Sequence, residues 1–331
     1  MQDWSFSGAG ILLAPESRLN ASNRNKLHET VILLDNFSQL PQPVMPLASA
    51  DAGRWLQERL AKNFGEPNTF VPRGFEAYAR LLHPVERDRP KAPKTWETIS
   101  AAEPMEFEQE LVSWKTVAET QGRQVHKYTQ GTSLNPNDVQ SPIQQWFDNH
   151  GWRYSQTVEG NLDVDTLGHV AAVLAQYTGT PRRGVAAVWE GWGSGIPVRY
   201  SSSKPTGWDT AVAAGAHAAR NFKRLFTGPE VRLELPGRSH KLFAAGVLEF
   251  VTPDWVARAP WVDNVWNEQS PSILWPEDHT WVLATEVDYD STIIAGSKEL
   301  IEALLITEEL EVFEIASDIE ERLLIYPDQE P

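Results

Sequence analysis

Apolar and polar residues follow a helical period in one part of the chain and a strand period in others. The clearest helical stretch is "DVDTLGHVAAVLAQYTGTP", which begins at Asp163. Its apolar residues recur every three or four positions, and Gly179 with Pro181 ends the pattern. The next stretch, "GVAAVWEGWG", is a short apolar run before a glycine turn and predicts a buried strand. "VRLELPGRSHKLFAAGVLEF" contains two alternating runs joined through "PGR" and predicts a β-hairpin.

Two further helices are predicted nearer the start of the chain. "ADAGRWLQERLAKNFG" has Asp51 near its beginning and Gly65 at its end, which are common helix boundaries. "EFEQELVSWKTVAETQG" is stopped by Gly122, and its apolar residues at helical spacing are Phe107, Leu111, Trp114 and Val117. Between these helices, "PRGFEAYARLLHP" fits either a strand or a helix up to Pro84. Residues 86–95 are rich in proline and charge, which predicts an exposed linker.

The last part of the chain combines a strand with short acidic helices. "WVLATEVDYD" predicts the strand, and Ser297 and Thr307 are candidate N-caps of the two helices that follow. Ser317 with Glu320 is typical of a further helix start. Most predicted strands are linked by turns or irregular loops and not by crossover helices. The pattern therefore predicts an α+β fold with a mainly antiparallel or mixed sheet, flanking helices and an acidic helical C-terminal lobe.

We expect residues 1–331 to form a single α+β domain. Residues 194–224, a Gly/Ser/Pro-rich loop followed by an alanine-rich stretch, are expected to be a peripheral excursion. Residues 277–331, the acidic C-terminal strand–helix lobe, hold sixteen acidic and two basic residues and carry −14 of the net charge of −16. The remaining 276 residues hold 29 acidic and 27 basic side chains and are nearly neutral.

This charge distribution bears on the class of partner. Phosphate binding requires a basic surface, so nucleic acid is not expected as a partner. An acidic lobe on a nearly neutral body fits a cationic protein partner, and it also fits a surface that only keeps the protein in solution.

Composition narrows the chemistry further. The chain has no cysteine, which excludes disulfides, zinc–thiolate sites and thiol nucleophiles. Asp3 stands where an export signal needs a basic residue, and no apolar run approaches the roughly 18 residues of a membrane span. No phosphate-binding glycine loop, His-Glu-x-x-His or Gly-x-Ser-x-Gly motif occurs, so no cofactor is indicated. We expect a cytoplasmic protein without a membrane partner.

Three carboxylates alternate near the C-terminus: Glu286, Asp288 and Asp290. On a strand this spacing puts all three on one face, because successive side chains point to opposite sides. Such a face is either solvated or, with further ligands from elsewhere, a Mg²⁺ or Ca²⁺ site. We prefer the solvated face, with Val287 toward the core and no metal bound.

Four residues are candidates for a small-molecule site: Arg80, His83, Glu190 and Trp192. Glu190 ends an apolar strand between two tryptophans, so partial burial would raise its pKa and suit it to general acid work. The alternative is that Glu190 accepts a hydrogen bond from a tryptophan N–H or pairs with an arginine. His83 lies at the end of an apolar run, where a hydrogen-bonded structural role is the alternative to catalysis. Arg80 is suited to binding an anion or to balancing nearby acids.

Fourteen tryptophans are unusual for this length, and five of them fall between Trp255 and Trp281. Clustered tryptophans either stack on a ligand or mark an interface when exposed, and they fill the core when buried. With no cysteine and only three methionines, the core interpretation is preferred.

Several stretches carry a distinctive mix of aromatic, glycine and acidic residues. They are "VPRGFEAYARLLHP", "AAVWEGWG", "RLELPGR" and "WPEDHTWVLATEVDYDSTIIAGS". From about residue 70 to residue 305, this pattern resembles a group of uncharacterised, largely actinobacterial proteins. The resemblance implies a shared fold. It does not indicate an activity, a cofactor or a catalytic residue.

The sequence leads to two functional hypotheses. The first is a non-catalytic protein that binds another protein through its acidic lobe, including Glu308, Glu309 and Glu320; an immunity-like role against a cationic toxin is one form of it. The second is a small-molecule enzyme, such as a hydrolase, with a pocket around Glu190 and His83. An enzyme should bring its candidate residues together in a deep pocket, whereas a binding protein should show an acidic face with apolar spots.

Overall fold

The computed structural model describes residues 44–62, 69–98, 106–136, 145–191, 231–262 and 268–316. Several sequence predictions lie outside these ranges. They are the stop at Gly65, the excursion at 194–224, Trp192, and the Ser317–Glu320 helix start.

Thirteen strands occur in the described ranges, and all of their pairings are antiparallel. In chain order they are β1 Met45–Pro46, β2 Ala77–Leu82, β3 Val85–Pro90, β4 Phe107–Val112, β5 Trp146–Phe147, β6 Arg153–Tyr154, β7 Gly184–Trp189, β8 Arg232–Leu235, β9 Arg238–Ala244, β10 Ile273–Pro276, β11 Val282–Thr285, β12 Ser291–Gly296 and β13 Val312–Ile315.

These strands form two sheets. The large sheet has nine strands in the order β1–β9–β7–β10–β11–β12–β2–β13, with β8 also paired to β9. The small sheet has the order β4–β3–β6–β5. Helices and antiparallel sheets are thus mixed along the chain, which confirms the predicted α+β class.

The helices of the described ranges are α1 Arg54–Arg59, α2 Trp114–Thr120, α3 Val164–Leu174, α4 Trp255–Arg258 and α5 Lys298–Leu305. Three of them begin with a side chain that accepts a hydrogen bond from the first turn, as N-caps do. These caps are Ser113, Asp163 and Ser297, at 3.1, 2.9 and 3.2 Å from the backbone nitrogens that they accept from. The predicted α3 and the cap at Ser297 are therefore confirmed.

Both faces of the large sheet are buried. Ile294 packs on the face covered by α3 and α5, whereas its neighbour Ile293 packs on the opposite face with Leu56 of α1. All six residues of β2 are buried, as are all six of β12. A strand that is buried on both faces shows no alternation of apolar and polar residues. This explains why the sequence of β2 fitted a helix as well as a strand.

The small sheet continues directly from the large one, since only His83 and Pro84 separate β2 from β3. The prediction that residues 86–95 form an exposed linker is therefore wrong for residues 86–90, which lie in β3, whereas residues 91–95 lie outside any strand and are mostly exposed. Val85 is fully buried, and Asp88 is 7% exposed because it pairs with Arg153 of β6 at 2.5 Å. A separate small core, which includes Trp114, packs beneath this sheet.

Two predicted helices are strands in part. Phe107 and Leu111 lie in β4, and the helix begins only after Ser113. Thr307 caps no helix; the residues after it turn and enter β13, which pairs with β2. In the hairpin, Gly237 takes φ +73°, a conformation that glycine adopts readily, and the predicted β8–β9 pairing is confirmed. The second strand ends at Ala244, and Val247–Phe250, the end of the predicted stretch, form a short 3-10 helix.

Buried tryptophans make up much of the core. Five tryptophans of the described ranges are at most 2% exposed: Trp114, Trp255, Trp261, Trp275 and Trp281. The core interpretation of the tryptophan cluster is thus confirmed for the last four of these; Trp266, the remaining member of the cluster, lies outside the described residues. Among the described residues, no helix has both the length and the apolar character needed to cross a membrane.

Candidate functional site

Polar side chains gather at one end of the large sheet. Because β2, β12 and β11 run antiparallel, the end of β2, the start of β12 and the end of β11 meet there. Leu82 is paired with Ser291, and Thr285 is paired with Thr292. We call this cluster the polar junction; it consists of Arg80, His83, Thr285, Asp290, Ser291 and Thr292.

Arg80 is the most enclosed charge of the polar junction, with 1% of its surface exposed. Its Nη2 lies 3.1 Å from Asp290 Oδ1, and its Nε donates to Ser291 Oγ at 2.9 Å. Its Nη1 donates to the carbonyls of Lys127 and Thr129 at 3.0 and 2.7 Å. Burial lowers the pKa of Arg80 from its ordinary value, and the Asp290 carboxylate opposes this shift. The guanidinium is thus engaged by the protein itself.

Asp290 joins the same cluster to a loop of the small-sheet side. Its Oδ2 accepts a hydrogen bond from the Gly131 backbone nitrogen at 2.7 Å. A side chain at position 131 would not fit, since a Cβ there would lie 2.6 Å from Asp290 Oδ2. Arg80 and Asp290 together therefore fix the loop that ends at Gly131.

His83 is 1% exposed, and the contacts of both ring nitrogens are filled. Nδ1 lies 2.7 Å from the Val158 carbonyl oxygen, and Nε2 lies 2.9 Å from Thr292 Oγ1. Thr292 Oγ1 is in turn 2.7 Å from Thr285 Oγ1. Burial lowers the pKa of His83 from its ordinary value. The ring is therefore neutral, enclosed and hydrogen-bonded at both nitrogens, as in a structural histidine.

The three alternating carboxylates do not lie on a strand face. Strand β11 ends at Thr285, and residues 286–290 form the turn into β12. Arg238 of β9 reaches this turn and contacts Glu286 at 2.7 Å and Asp288 at 2.8 Å. The Glu286 side chain is only 11% exposed, whereas that of Asp288 is 73% exposed. The solvated strand face is therefore wrong for Glu286, and Val287 is half-buried and not in the core.

Burial raises the pKa of Glu286, and the Arg238 guanidinium opposes that shift. Arg238 also lies over the Trp189 ring, 5.3 Å from its centroid. The turn is closed from the other side by Gly160, whose nitrogen donates to the Tyr289 carbonyl at 2.8 Å. Gly160 has φ +69°, and a Cβ there would lie 2.5 Å from the Val287 carbonyl oxygen. Only glycine suits this close approach.

Glu190 lies elsewhere on the sheet and is paired. Arg232 Nε is 2.7 Å from Glu190 Oε1, and the Glu190 side chain is 17% exposed. Strands β10, β11 and β12 separate β7, which Glu190 follows, from β2, which carries Arg80. Four strand spacings correspond to about 19 Å. The structure thus brings Arg80 and His83 together but does not bring Glu190 to them.

The other predicted binding residues lie near the C-terminus. Glu308 and Glu309 are exposed in the turn between α5 and β13, and Glu320 lies outside the described residues. Ile306, in the same turn, is 81% exposed, and Leu305 is 39% exposed. Exposed acidic residues therefore flank an exposed apolar residue in the chain at this turn.

Sequence reasoning missed the partners of these groups. Arg238 is 48 residues from Glu286 and 50 from Asp288, so no local pattern connects them. Glu311 accepts hydrogen bonds from the Trp114 and Lys115 nitrogens at 2.6 and 2.9 Å and so caps the start of α2 from a distant segment. A local signal existed only for the two threonines, which flank the acidic turn in "TEVDYDST".

Within the described ranges, no group of three or more histidine, aspartate or glutamate side chains has a geometry that would hold a metal ion. The polar junction can position loops and exclude water, but its arginine and histidine are already occupied by protein groups. No protein-family model, curated protein or solved structure matches this chain. Function must therefore be inferred from the side chains themselves.

Proposed function

We propose that this chain is a cytoplasmic, non-catalytic protein that binds a cationic protein through one surface, the acidic tip. The acidic tip consists of Glu302, Leu305, Ile306, Glu308 and Glu309. The observation that carries the proposal is the exposure of Ile306, 81%, the highest among the exposed large apolar side chains of the described residues. Acidic residues that are also exposed precede and follow it in the chain. An apolar centre with a polar rim is the usual anatomy of a protein interface.

The backbone of the acidic tip is held in place. Leu304 is fully buried and Leu310 is 9% exposed, so the turn is anchored on both sides. Thr307 Oγ1 donates to the Ala303 carbonyl at 2.8 Å, and the Leu310 nitrogen donates to the Thr307 carbonyl at 3.1 Å. A surface that is already ordered loses less entropy when a partner binds. Ile306 is thus presented on a preformed turn.

The charge of the acidic tip favours a cationic partner. The C-terminal end of a helix carries partial negative charge, and the last turn of α5 has no basic residue to offset it. Elsewhere in residues 277–316, Glu286 and Asp290 are paired with arginines, and Glu311 caps α2. The exposed acids of this segment lie on α5 and the turn that follows, and also at Glu277, Asp278, Asp288 and Glu314. Glu277 and Asp288 contact Arg183 and Arg238. The acidic tip is where exposed acids flank an exposed apolar side chain in the chain. Lysine or arginine side chains around an apolar pocket would complement it.

A concrete form of this proposal is an immunity-like role, in which the acidic tip neutralises a cationic toxin. Complementary charge would speed the encounter of the two proteins. The alternative is a small-molecule enzyme, such as a hydrolase, built around Glu190 and His83. That enzyme needs the two side chains in one accessible pocket. The enclosure of His83, the Arg232 pairing of Glu190 and their separation across the sheet favour binding over catalysis.

The test begins with affinity capture from native cytosol, elution along a salt gradient and mass spectrometry. Association and dissociation rates of the captured partner are then measured for the wild type and for two variants. Glu308→Lys/Glu309→Lys should slow association, more so at low salt, because it removes the attraction that steers the encounter. Ile306→Ser should raise the dissociation rate tenfold or more, since burying an isoleucine side chain contributes about 1.5–3 kcal/mol.

Matched controls lie on other parts of the surface. Glu58→Lys/Glu119→Lys makes the same charge change at two exposed helix positions, and Phe147→Ser removes an apolar side chain that is 57% exposed. These variants should leave both rates within about twofold of the wild type, as surface changes outside an interface do. If the acidic-tip variants behave like these controls, the tip is only a solubilising surface, and the enzyme hypothesis moves ahead.

A further inference from the structure

The protonation state of His83 follows from its partners. The Val158 carbonyl oxygen, 2.7 Å from Nδ1, can only accept a hydrogen bond, so Nδ1 carries a hydrogen. In a neutral ring Nε2 is then the acceptor, and the Thr292 hydroxyl donates to it at 2.9 Å. Because the Thr292 hydrogen is used in this way, the Thr285 hydroxyl donates to Thr292 Oγ1 at 2.7 Å. The three side chains form one directed chain of hydrogen bonds.

A proton on Nε2 would make Nε2 a donor to Thr292, so the Thr292 hydroxyl could no longer donate to the ring. If the chain reverses, Thr292 donates to Thr285; if it does not, the Thr292 hydrogen itself loses its acceptor. Among the hydrogen bonds of the described residues, Thr285 Oγ1 has no other side-chain or backbone partner, so its hydrogen would lose its acceptor. Thr285 is 2% exposed, and a buried hydroxyl without an acceptor is unfavourable. The hydrogen-bond geometry around His83 therefore disfavours a charged ring.

The position of His83 decides what its charge would affect. It lies between the large and small sheets, and its Nδ1 holds the loop of residues 155–160, which leads from β6 toward α3. Two backbone hydrogen bonds also close this loop, from the Ser155 nitrogen to the Glu86 carbonyl at 2.9 Å and from the Gly160 nitrogen to the Tyr289 carbonyl at 2.8 Å. The ring thus connects a loop of the small-sheet side to the centre of the large sheet.

We propose that His83 is an acid-sensitive latch: its neutral ring keeps the 155–160 loop closed, and opening of the loop is coupled to proton uptake by the ring. The charged groups that face His83 are Arg80 on β2, the strand that His83 follows, Asp290 in the β11–β12 turn and Asp163 at the start of α3. Burial and Arg80 disfavour the charged ring, whereas these two aspartates favour it, and burial dominates. The loop also carries Glu159, whose pKa is raised by burial and by Asp290 and Asp288, so its protonation favours the closed loop and opposes the effect of His83.

The sign of the pH dependence follows from linkage. The closed state holds the pKa of His83 below its ordinary value of about 6.5, which the ring regains when the open loop exposes it to water. The closed loop is therefore most stable above about pH 6.5, and its stability declines as the pH falls below that value. Between that value and the pKa of the closed state, the opening equilibrium should rise as the pH falls, by about fivefold over the first pH unit and by a factor that approaches ten for each further unit.

Amide hydrogen exchange measures this opening directly. The Ser155 and Gly160 amides report on the loop, and the β12 amide of Ile293 reports on the core. After correction for the intrinsic exchange rate, the opening equilibrium at Gly160 should rise about fivefold between pH 6.5 and 5.5, while that at Ile293 changes much less. Nitrogen-15 NMR of the ring at pH 7.5 should show hydrogen on Nδ1 and none on Nε2.

The matched variants are His83→Asn and His169→Asn. The first keeps an N–H donor near the position of Nδ1 but cannot titrate, so the pH dependence at Gly160 should disappear. The second removes an exposed histidine from α3 and should leave that dependence unchanged. Hydrogen on Nε2 of the neutral ring, a flat opening equilibrium in the wild type, or an unchanged slope in His83→Asn would each overturn the latch. The two wild-type measurements remain decisive even if His83→Asn does not fold.

Discussion

Replacing Asp290 with asparagine tests the polar junction with almost no change in shape. The substitution removes the charge that neutralises Arg80, whose side chain is only 2% exposed. It also replaces one carboxylate oxygen of Asp290 with an amide NH₂ group. That group would face either the Arg80 guanidinium or the Gly131 N–H, which are both donors. Donors that face each other leave at least one buried hydrogen without an acceptor.

The magnitude follows from the burial of the pair. Removing one partner of a fully buried ion pair costs about 3–5 kcal/mol. The Asp290 side chain is 17% exposed, so water can partly compensate for the lost charge. We therefore expect Asp290→Asn to lower the free energy of unfolding by about 2–4 kcal/mol.

Asp288→Asn is the matched control, since it makes the same chemical change two residues earlier in the same turn. The Asp288 side chain is 73% exposed and contacts Arg238, which keeps its closer contact with Glu286. Exposed ion pairs contribute about 0–1 kcal/mol, so the loss here should stay below about 1 kcal/mol.

Urea unfolding followed by circular dichroism measures both variants. The midpoint should fall clearly for Asp290→Asn and little for Asp288→Asn, with the slope unchanged so that midpoints can be compared. Equal losses in the two variants, or no loss at Asp290, would refute the view that Arg80 depends on Asp290 for its charge balance.

Two further substitutions test local features of the fold. Gly160→Ala should lower the free energy of unfolding by more than about 2 kcal/mol, because it combines a left-handed backbone with a collision at Val287; Gly151→Ala, with φ +78° and open space around its Cβ, should cost only about 1–2 kcal/mol. Ser297→Ala should lower the free energy of unfolding by about 1 kcal/mol, because it removes the N-cap of α5, whereas Ser297→Asp should retain most of the capping stabilisation. The difference between the two melting temperatures measures this effect.

Local chemistry explains which elements the sequence predicts well. The β8–β9 hairpin follows from two alternating runs around a glycine turn, and α3 follows from its apolar period and its cap at Asp163. In each of these elements, the residues that decide the structure lie within a few positions of one another. Prediction from pattern succeeds where the stabilising contacts are local in sequence.

The small sheet shows why pattern fails elsewhere. Strand β3 reads as a charged linker because Arg87 and Arg89 occupy alternate positions along it. Both are paired across the sheet with glutamates of β4, Arg87 with Glu110 at 2.5 Å and Arg89 with Glu108 at 2.7 Å. Charge pairs directly across two strands stabilise a sheet as apolar pairs do, but neither strand alone shows an apolar period. The partner strand is needed to recognise such an element.

The acidic turn illustrates the same limit for a site. Acids at every second position are expected on a strand face, but residues 286–290 have this spacing in a turn. The environment of the acids in this turn is set by arginines that are distant in sequence. Asp290 lies against Arg80 and Glu286 against Arg238, from strands on opposite sides of the turn. The sequence could indicate that the acids belong together but not that each is separately neutralised.

This neutralisation changes what the net charge of the C-terminal segment means for binding. Acids that are paired inside the protein contribute little field outside it, and at physiological ionic strength that field decays over about 8 Å. A partner at the acidic tip would therefore sense its exposed glutamates more strongly than Glu286, Asp290 and Glu311, which are engaged by other groups of the protein. The salt dependence of its association rate should be weaker than the full −14 of residues 277–331 would give. Specificity would then rest on the fit around Ile306, because a small number of exposed charges can steer many cationic proteins but only a complementary pocket can hold one.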